Sequence, residues 1–257
     1  MPQWDPQRYL QFQGERTRPF LDLVAQIPTE PQSIVDLGCG PGHLTNVLRN
    51  RWPDATILGV DSSEAMIAQA NEQNIDPDTS YLQADIADWS PQENPDLIIS
   101  NAAFQWVPDQ LTQIKRLRGI VAPGGTLAFQ VPNNYAGPSH TLLAELAGRP
   151  PYAAFTSEIS YARGVDAVTY LELLAHGEWA LNVWETTYLH VLAGADPVFD
   201  WISGTGARPT LQALPPGVRE QFVAEYRAAL REAYPRRPFG TVLPFPRVFV
   251  VASRIPA

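Results

Sequence analysis

Three apolar runs in the first hundred residues each carry an aspartate at or next to their carboxyl end. They are Ser33-Ile34-Val35-Asp36-Leu37, Thr56-Ile57-Leu58-Gly59-Val60-Asp61 and Tyr81-Leu82-Gln83-Ala84-Asp85. A fourth run, Asp96-Leu97-Ile98-Ile99-Ser100-Asn101, ends on an amide, and Thr126 to Val131 reads as a fifth. Helical stretches separate them: about Leu44 to Arg51, a segment capped by Ser62 or Ser63 and reaching about Asn71, and one opened by Asp109. Short apolar strands that alternate with helices predict βαβ units and a parallel sheet covered on both faces. In such a sheet the strand tips share one edge, so Asp36, Asp61, Asp85 and Asn101 are expected in a row along a crevice.

Beyond Pro132 the alternation stops. Residues 133–180 show helical pieces without a clear strand, whereas Leu181 to Leu192 alternates as one long strand. Val218, Phe222, Tyr226, Leu230 and Tyr234 then recur at every fourth position, an amphipathic helical stripe within a helical stretch from 193 to 244. Arg247 to Ala252 reads as a last core strand. The sheet is therefore begun early and completed late, around two insertions.

Composition narrows the function classes. Apolar residues make up 45% of the 257 residues and no run nears the ~20 needed to span a bilayer, so a globular chain without a membrane partner is expected. The start lacks a basic region followed by an apolar one, and Cys39 is the single cysteine. A cytoplasmic location is the expectation from both. A net charge of −9 disfavours nucleic acid as a partner. Four scattered histidines and one cysteine give no metal-ligand spacing.

The strongest local motif is Asp36-Leu37-Gly38-Cys39-Gly40-Pro41-Gly42, at a strand-to-helix junction. Gly38, Gly40 and Gly42 allow a tight turn and close approach of a ligand to the backbone. A dinucleotide fingerprint would need its third glycine at position 43, where His43 stands, and Pro41 removes an N–H that a pyrophosphate would use. His43 itself is expected to face solvent. Asp61 lies 21 positions past Gly40, the spacing at which a carboxylate accepts both hydroxyls of a ribose.

Taken together, the loop, Asp61, Asp85 and Asn101 resemble the successive motifs of class I S-adenosylmethionine-dependent methyltransferases. The resemblance implies an α/β, Rossmann-like fold with a seven-stranded, mostly parallel sheet, its last strand antiparallel, and helical cap insertions. S-adenosylmethionine is the implied cofactor. The glycine loop would lie against its methionine part, Asp61 with neighbouring Ser62 at the ribose, Asp85 at the adenine amino group, and Ile86 packed on the adenine. Asn101 would meet the methionine ammonium through its backbone. One domain is implied: an amino-terminal lid or helical segment at 1–30, a cofactor core at 31–132, and cap insertions at 133–180 and 193–244.

Four further segments are similar to the trans-aconitate 2-methyltransferase family. They are Trp4-Asp5-Pro6 through Arg16-Thr17-Arg18-Pro19, Asn101 through Asp109, Trp201-Ile202 through Arg208-Pro209, and Phe245-Pro246-Arg247-Val248-Phe249. That family esterifies a carboxylate of a small tricarboxylic acid, and a carboxylate, with a reference pKa near 4, is already ionised at neutral pH. No general base is required, and no catalytic triad or carboxylate pair stands out. Orientation, worth roughly 7–11 kcal/mol in a favourable case, is left as the main catalytic device. The spectator carboxylates call for guanidiniums, and Arg16, Arg18, Arg208 and Arg247 fall in the shared segments. Trp106, after the fourth strand, is expected to shape the acceptor pocket. Gln105, His140, Tyr188 and His190 are candidate hydrogen-bonding partners, although His190 also suits a plain core position. Trp4, Tyr9 and Phe12 suit either a lid or a permanently packed segment. A monomer is expected. The rival readings are a class I methyltransferase for a phenol, an amine or another acid, a nucleotide-dependent dehydrogenase, and a non-catalytic cofactor sensor.

Overall fold

The computed structural model describes residues 13–159, 161 and 164–255, with side chains from Thr17 onward. Seven strands form one sheet: β1 Ser33–Leu37, β2 Thr56–Asp61, β3 Thr79–Gln83, β4 Leu97–Asn101, β5 Thr126–Pro132, β6 Trp179–Leu192 and β7 Thr241–Arg254. Their order is β3-β2-β1-β4-β5-β7-β6. β1 to β5 are mutually parallel, and β7 runs antiparallel to both β5 and β6. The strand order reverses between β1 and β4, the place where a ligand crevice opens in sheets of this kind.

The helices are α1 Gln13–Val24, α2 Thr45–Arg51, α3 Glu64–Gln73, α4 Gln110–Gly119, α5 Pro138–Ala147, α6 Ala153–Thr156, α7 Ala167–Leu174, α8 Pro197–Ser203, α9 Arg208–Ala213 and α10 Pro216–Ala233. Ser63 caps α3, its hydroxyl accepting from the Met66 N–H at 3.4 Å, which settles the choice between two adjacent serines. None of the helices among the described residues is long and apolar enough to cross a membrane.

Side-chain alternation divides the core between the sheet's two faces. Val35, Leu37, Ile98, Leu127, Phe129, Val248 and Val250 bury one face together with Ile114 and Leu117 of α4 and Tyr170 of α7. Ile34, Ile57, Ile99, Ala128, Phe249 and Val251 bury the other, against Phe20 and Leu23 of α1 and Leu48 of α2. A third cluster belongs to the cap, where Phe222, Tyr226 and Leu230 of α10 meet Leu143 of α5 and Trp201 of α8. Leu243 and Phe245, at the start of β7, join that cap cluster.

Two sequence expectations need correcting. β3 stops at Gln83, so Asp85 sits in the loop beyond it rather than on the strand. β7 starts at Thr241, so the second cap insertion ends before 241 rather than at 244. Pro244 and Pro246 disfavour a strand locally, since proline donates no ladder bond. The Pro246 carbonyl, however, accepts from the Asn133 N–H at 2.8 Å, which places that side of β7 beyond the end of β5. A missing N–H there interrupts no strand pairing, while every residue of β7 still pairs in register with β6.

Candidate active site at the carboxyl edge of the sheet

The loop after β1 is shaped by glycine. Gly38 and Gly40 have φ of +78° and +57°, conformations that side chains disfavour. The N–H groups of Gly38 and Cys39 both donate to the Val60 carbonyl, at 2.7 and 3.1 Å, tying the loop to β2. A Cβ at Gly38 would lie 2.3 Å from the Ala103 Cβ, whereas one at Gly40 would meet nothing within 4 Å. Gly38 thus packs against the exit of β4, and Gly40 opens onto space.

That space is a cleft of about 670 Å³, within the usual range for small-molecule sites. Gly38, Gly40, Asp61, Ser62, Asp85, Ile86 and Asn101 line its walls, as expected from the sequence, and Met66 of α3 joins them. Asp61 accepts from the Gly40 N–H at 3.0 Å through Oδ2 and from the Ser63 N–H at 2.9 Å through Oδ1. Burial raises its pKa, and the two N–H bonds act in the opposite direction. Asp85 Oδ1 accepts from the Ala87 N–H at 2.9 Å, which orients its carboxylate beside Ile86.

The far end of the cleft is different chemistry. Leu243, Phe245 and Arg247, alternate residues on one face of β7, all line it, together with Asn134, Tyr135, Ser139, His140, Trp201 and Thr205. Arg247 is buried, its guanidinium 4.7 Å from the centre of the Phe245 ring, a cation–π arrangement. Its Nη1 donates to Gln130 Oε1 at 2.9 Å. Desolvation pushes the Tyr135 hydroxyl up to about 12 and holds His140 down at about 4, so both stay neutral at physiological pH. Sheet spacing supplies a ruler. Neighbouring strands lie ~4.8 Å apart, so the row from β3 to β4 covers about 14 Å and β7 lies about 10 Å further on. Carboxylates occupy the first stretch and a guanidinium the second.

Other expected residues fall outside the cleft. Asp36 is buried beneath the loop and Gly42 faces away from the opening, where a Cβ would lie 2.5 Å from the Tyr81 hydroxyl. Arg208 opens α9 and does not line the cleft. Tyr188 donates its hydroxyl to Asp22 of α1 at 2.6 Å, and Arg18 stands 5.3 Å over its ring, so the tyrosine anchors α1 instead of facing the pocket. His190 stacks on Trp201 at 4.9 Å in the core. His43 is partly buried in the turn before α2, not solvent-facing as expected. Trp106, in the one-turn 3-10 helix Phe104–Trp106, is 41% exposed and forms the cleft rim. Gln105 also lines it, its Nε2 donating to the Ala102 carbonyl at 2.6 Å and its Oε1 buried with no hydrogen-bond partner among the described residues. Arg16 lies in α1, but its side chain, like Trp4, Tyr9 and Phe12, falls outside the described residues.

Sequence reasoning missed Asn134, Tyr135, Thr205 and Phe245. Asn134 and Tyr135 lie in the loop after β5, and the rule that ligands gather at carboxyl ends of parallel strands points to them. No group of potential metal ligands occurs among the described residues.

Comparison with known proteins bears on the family and the fold. A family model described as a methyltransferase domain matches residues 8–170. A trans-aconitate 2-methyltransferase of Streptomyces avermitilis is 47% identical over 266 residues, covering 99% of this chain and 98% of its own. Among solved structures, a methyltransferase from Haloferax volcanii, in complex with the Trm112 activator, superposes with a TM-score of 0.56 at 20% identity, over 97% of this chain and 92% of its own. A phosphoethanolamine N-methyltransferase of Haemonchus contortus, solved with S-adenosylhomocysteine, gives 0.55 at 15% identity, over 93% of this chain and 53% of its own.

Asp36 generates a test of the site's electrostatics. Burial, and then the charge of Asp61, push its carboxyl from 3.8 up to about 7. The folded protein therefore keeps this proton where the unfolded chain has lost it, and stability falls as pH rises from about 4 to about 7. Asp36→Asn removes that loss. Its unfolding temperature should exceed that of the wild type above pH 7, by the equivalent of at most ~4 kcal/mol, with the gain shrinking as pH falls toward 4. Thermal melts across this range check it, and a difference independent of pH would contradict it.

Proposed function

The chain belongs to the trans-aconitate 2-methyltransferase family of methyltransferase-domain proteins, and from that premise we propose that it esterifies one carboxylate of trans-aconitate or a closely related small di- or tricarboxylic acid. Its cofactor is S-adenosylmethionine, which when bound supplies a methyl group on a sulfonium. The residues present suit that molecule. Gly40 leaves an open cradle beside the loop, Asp61 offers a two-oxygen acceptor for vicinal hydroxyls, and Ile86 and Met66 give an adenine an apolar bed next to Asp85.

The observation that carries the acceptor assignment is Arg247, a buried guanidinium on the cleft wall beyond the carboxylate row. A planar fork of donors binds a carboxylate in two-point fashion and fixes its plane as well as its position. Phe245, stacked on the same guanidinium, restricts its swing. Tyr135, neutral and close enough to feel the charge of Arg247, adds a hydroxyl donor to the same end. Trp106, half-exposed on the cleft rim, adds an indole face to the wall.

Proton chemistry agrees with an acid as acceptor. A phenol or an ammonium must lose a proton before it can attack a methyl group, which calls for a base poised near neutrality. His140 is the one imidazole lining the cleft among the described residues, and at about 4 it is a poor base. A carboxylate needs no such help. The chain's contribution is to hold it, turn it and shield it from water.

We further propose a cytoplasmic monomer without a nucleic-acid partner. The single, buried cysteine and the net charge of −9 support that reading.

Incubation with cofactor and a panel of carboxylic acids, phenols and amines, read by mass spectrometry, tests the assignment: methyl esters of small polycarboxylic acids are expected. Methylation of neutral acceptors alone would overturn it. Arg247→Met should raise the KM for the acid by roughly ten- to a hundredfold, the worth of a charge-assisted hydrogen bond, with cofactor affinity unchanged in calorimetry. With cofactor saturating, kcat/KM for the acid should show no base-type rise between about pH 6 and 9, because His140 and Tyr135 titrate outside that window.

A further inference from the structure

Gln130 lies in the middle of β5 and is 1% exposed, an amide among the apolar side chains of a core strand. It pairs directly with Asn101 of β4, and Arg247 of β7 pairs two residues further along, with Pro132. Side chains two residues apart on a strand share a face, so Asn101, Gln130 and Arg247 stand side by side across three adjacent strands. Both halves of the Gln130 amide are used. Its Oε1 accepts from Arg247 Nη1 at 2.9 Å, and its Nε2 donates to Asn101 Oδ1. Asn101 lines the carboxylate-rich half of the cleft and Arg247 the opposite half.

The direction of this chain is dictated at one end. A guanidinium has donors only, so the carbonyl oxygen of Gln130 must face Arg247. The NH₂ then has to face Asn101, and Asn101 must turn its own oxygen toward it. One cation thus sets the orientation of two amides. Reversing either of them would oppose donor to donor in a place from which water is excluded, which is costly.

We propose that Gln130 is a positioning residue that holds Arg247 and Asn101 in a single mutual orientation, so that the acceptor's carboxylate is presented at a set place relative to the cofactor. This rests on the assignment of Arg247 to the acid. Gln130 lies behind the cleft wall and acts through its two neighbours.

Gln130→Met keeps the length and volume of the side chain and removes both hydrogen bonds. Gln130→Glu keeps the bond to Arg247 but places a carboxylate against the guanidinium, in competition with the acid. Each is compared with the wild type and in an Arg247→Met background, by thermal unfolding, S-adenosylhomocysteine affinity, and kcat and KM for trans-aconitate. In the folded variants the acid's KM should rise by about tenfold for Gln130→Met and further for Gln130→Glu, and kcat at saturating acid should fall as well, because a carboxylate held in a looser orientation reacts more slowly. In the Arg247→Met background the same substitutions should leave KM where Arg247→Met put it, because the neighbour through which they reach the acid is gone. A wild-type KM in both single variants, or equal KM increases with and without Arg247, would overturn the role of Gln130. A wild type that esterifies no acid overturns the acceptor assignment itself, and the positioning role with it.

Discussion

The antiparallel register of β7 on β5 is the constraint from which the acceptor half of the site follows. Pairing Arg247 with Pro132 brings a cation to the same edge of the sheet where the parallel strands present their tips. A shift of one residue would turn Leu243, Phe245 and Arg247 to the opposite face and take the Arg247 guanidinium out of the cleft. Such a slip is opposed along the whole strand. Phe249 and Val251 are buried on one face, Val248 and Val250 on the other, and all fourteen residues of β7 pair in register with β6. β7 also outruns β5 at its start, and that surplus length carries Leu243 and Phe245 into the cap, closing the far wall of the cleft.

Charge is arranged along the cleft to match. Asp61 and Asp85 occupy the stretch near the glycine loop, with Asp36 buried beneath, while Arg247 lies beyond them, among the described residues in company with aromatic and neutral polar groups of the lining. In the proposed arrangement the neutral ribose and adenine of the cofactor offer hydrogen-bond donors to these carboxylates, and an anionic acceptor meets a guanidinium. The overall charge of −9 does not conflict with binding an anion, because beyond ~8 Å it is screened while the guanidinium acts at contact. Tyr135, neutral at physiological pH, puts no phenolate beside the Arg247 guanidinium.

Much of the cofactor half was legible from sequence because local signals coincide there: an apolar run, a glycine turn and an acidic tip each restrict the backbone in the same place. β1 and β2 agree with their expected bounds residue for residue, and Asp61, Asp85 and Asn101 converge as anticipated. The acceptor half depends on long-range pairing, and local patterns mislead there. Pro244 and Pro246 concealed the first part of β7, since only the end of β5 makes them harmless. Tyr188 and Arg208 have the right chemistry, yet Asp22 of α1 engages the first, and the second opens a helix off the cleft wall. Gln130 left a faint trace, a lone amide in the run from Thr126 to Val131, and its meaning emerges only when β4 and β7 are set on either side.

The proposed arrangement rests a carboxylate of the acceptor on Arg247 and lays the nucleoside of the cofactor along Asp61 and Asp85. A crystal structure with S-adenosylhomocysteine and trans-aconitate bound together measures it directly. A two-point contact between the acid and the Arg247 guanidinium is expected, with ribose hydroxyls on Asp61. An acid bound elsewhere, with Arg247 turned from it, would contradict that arrangement.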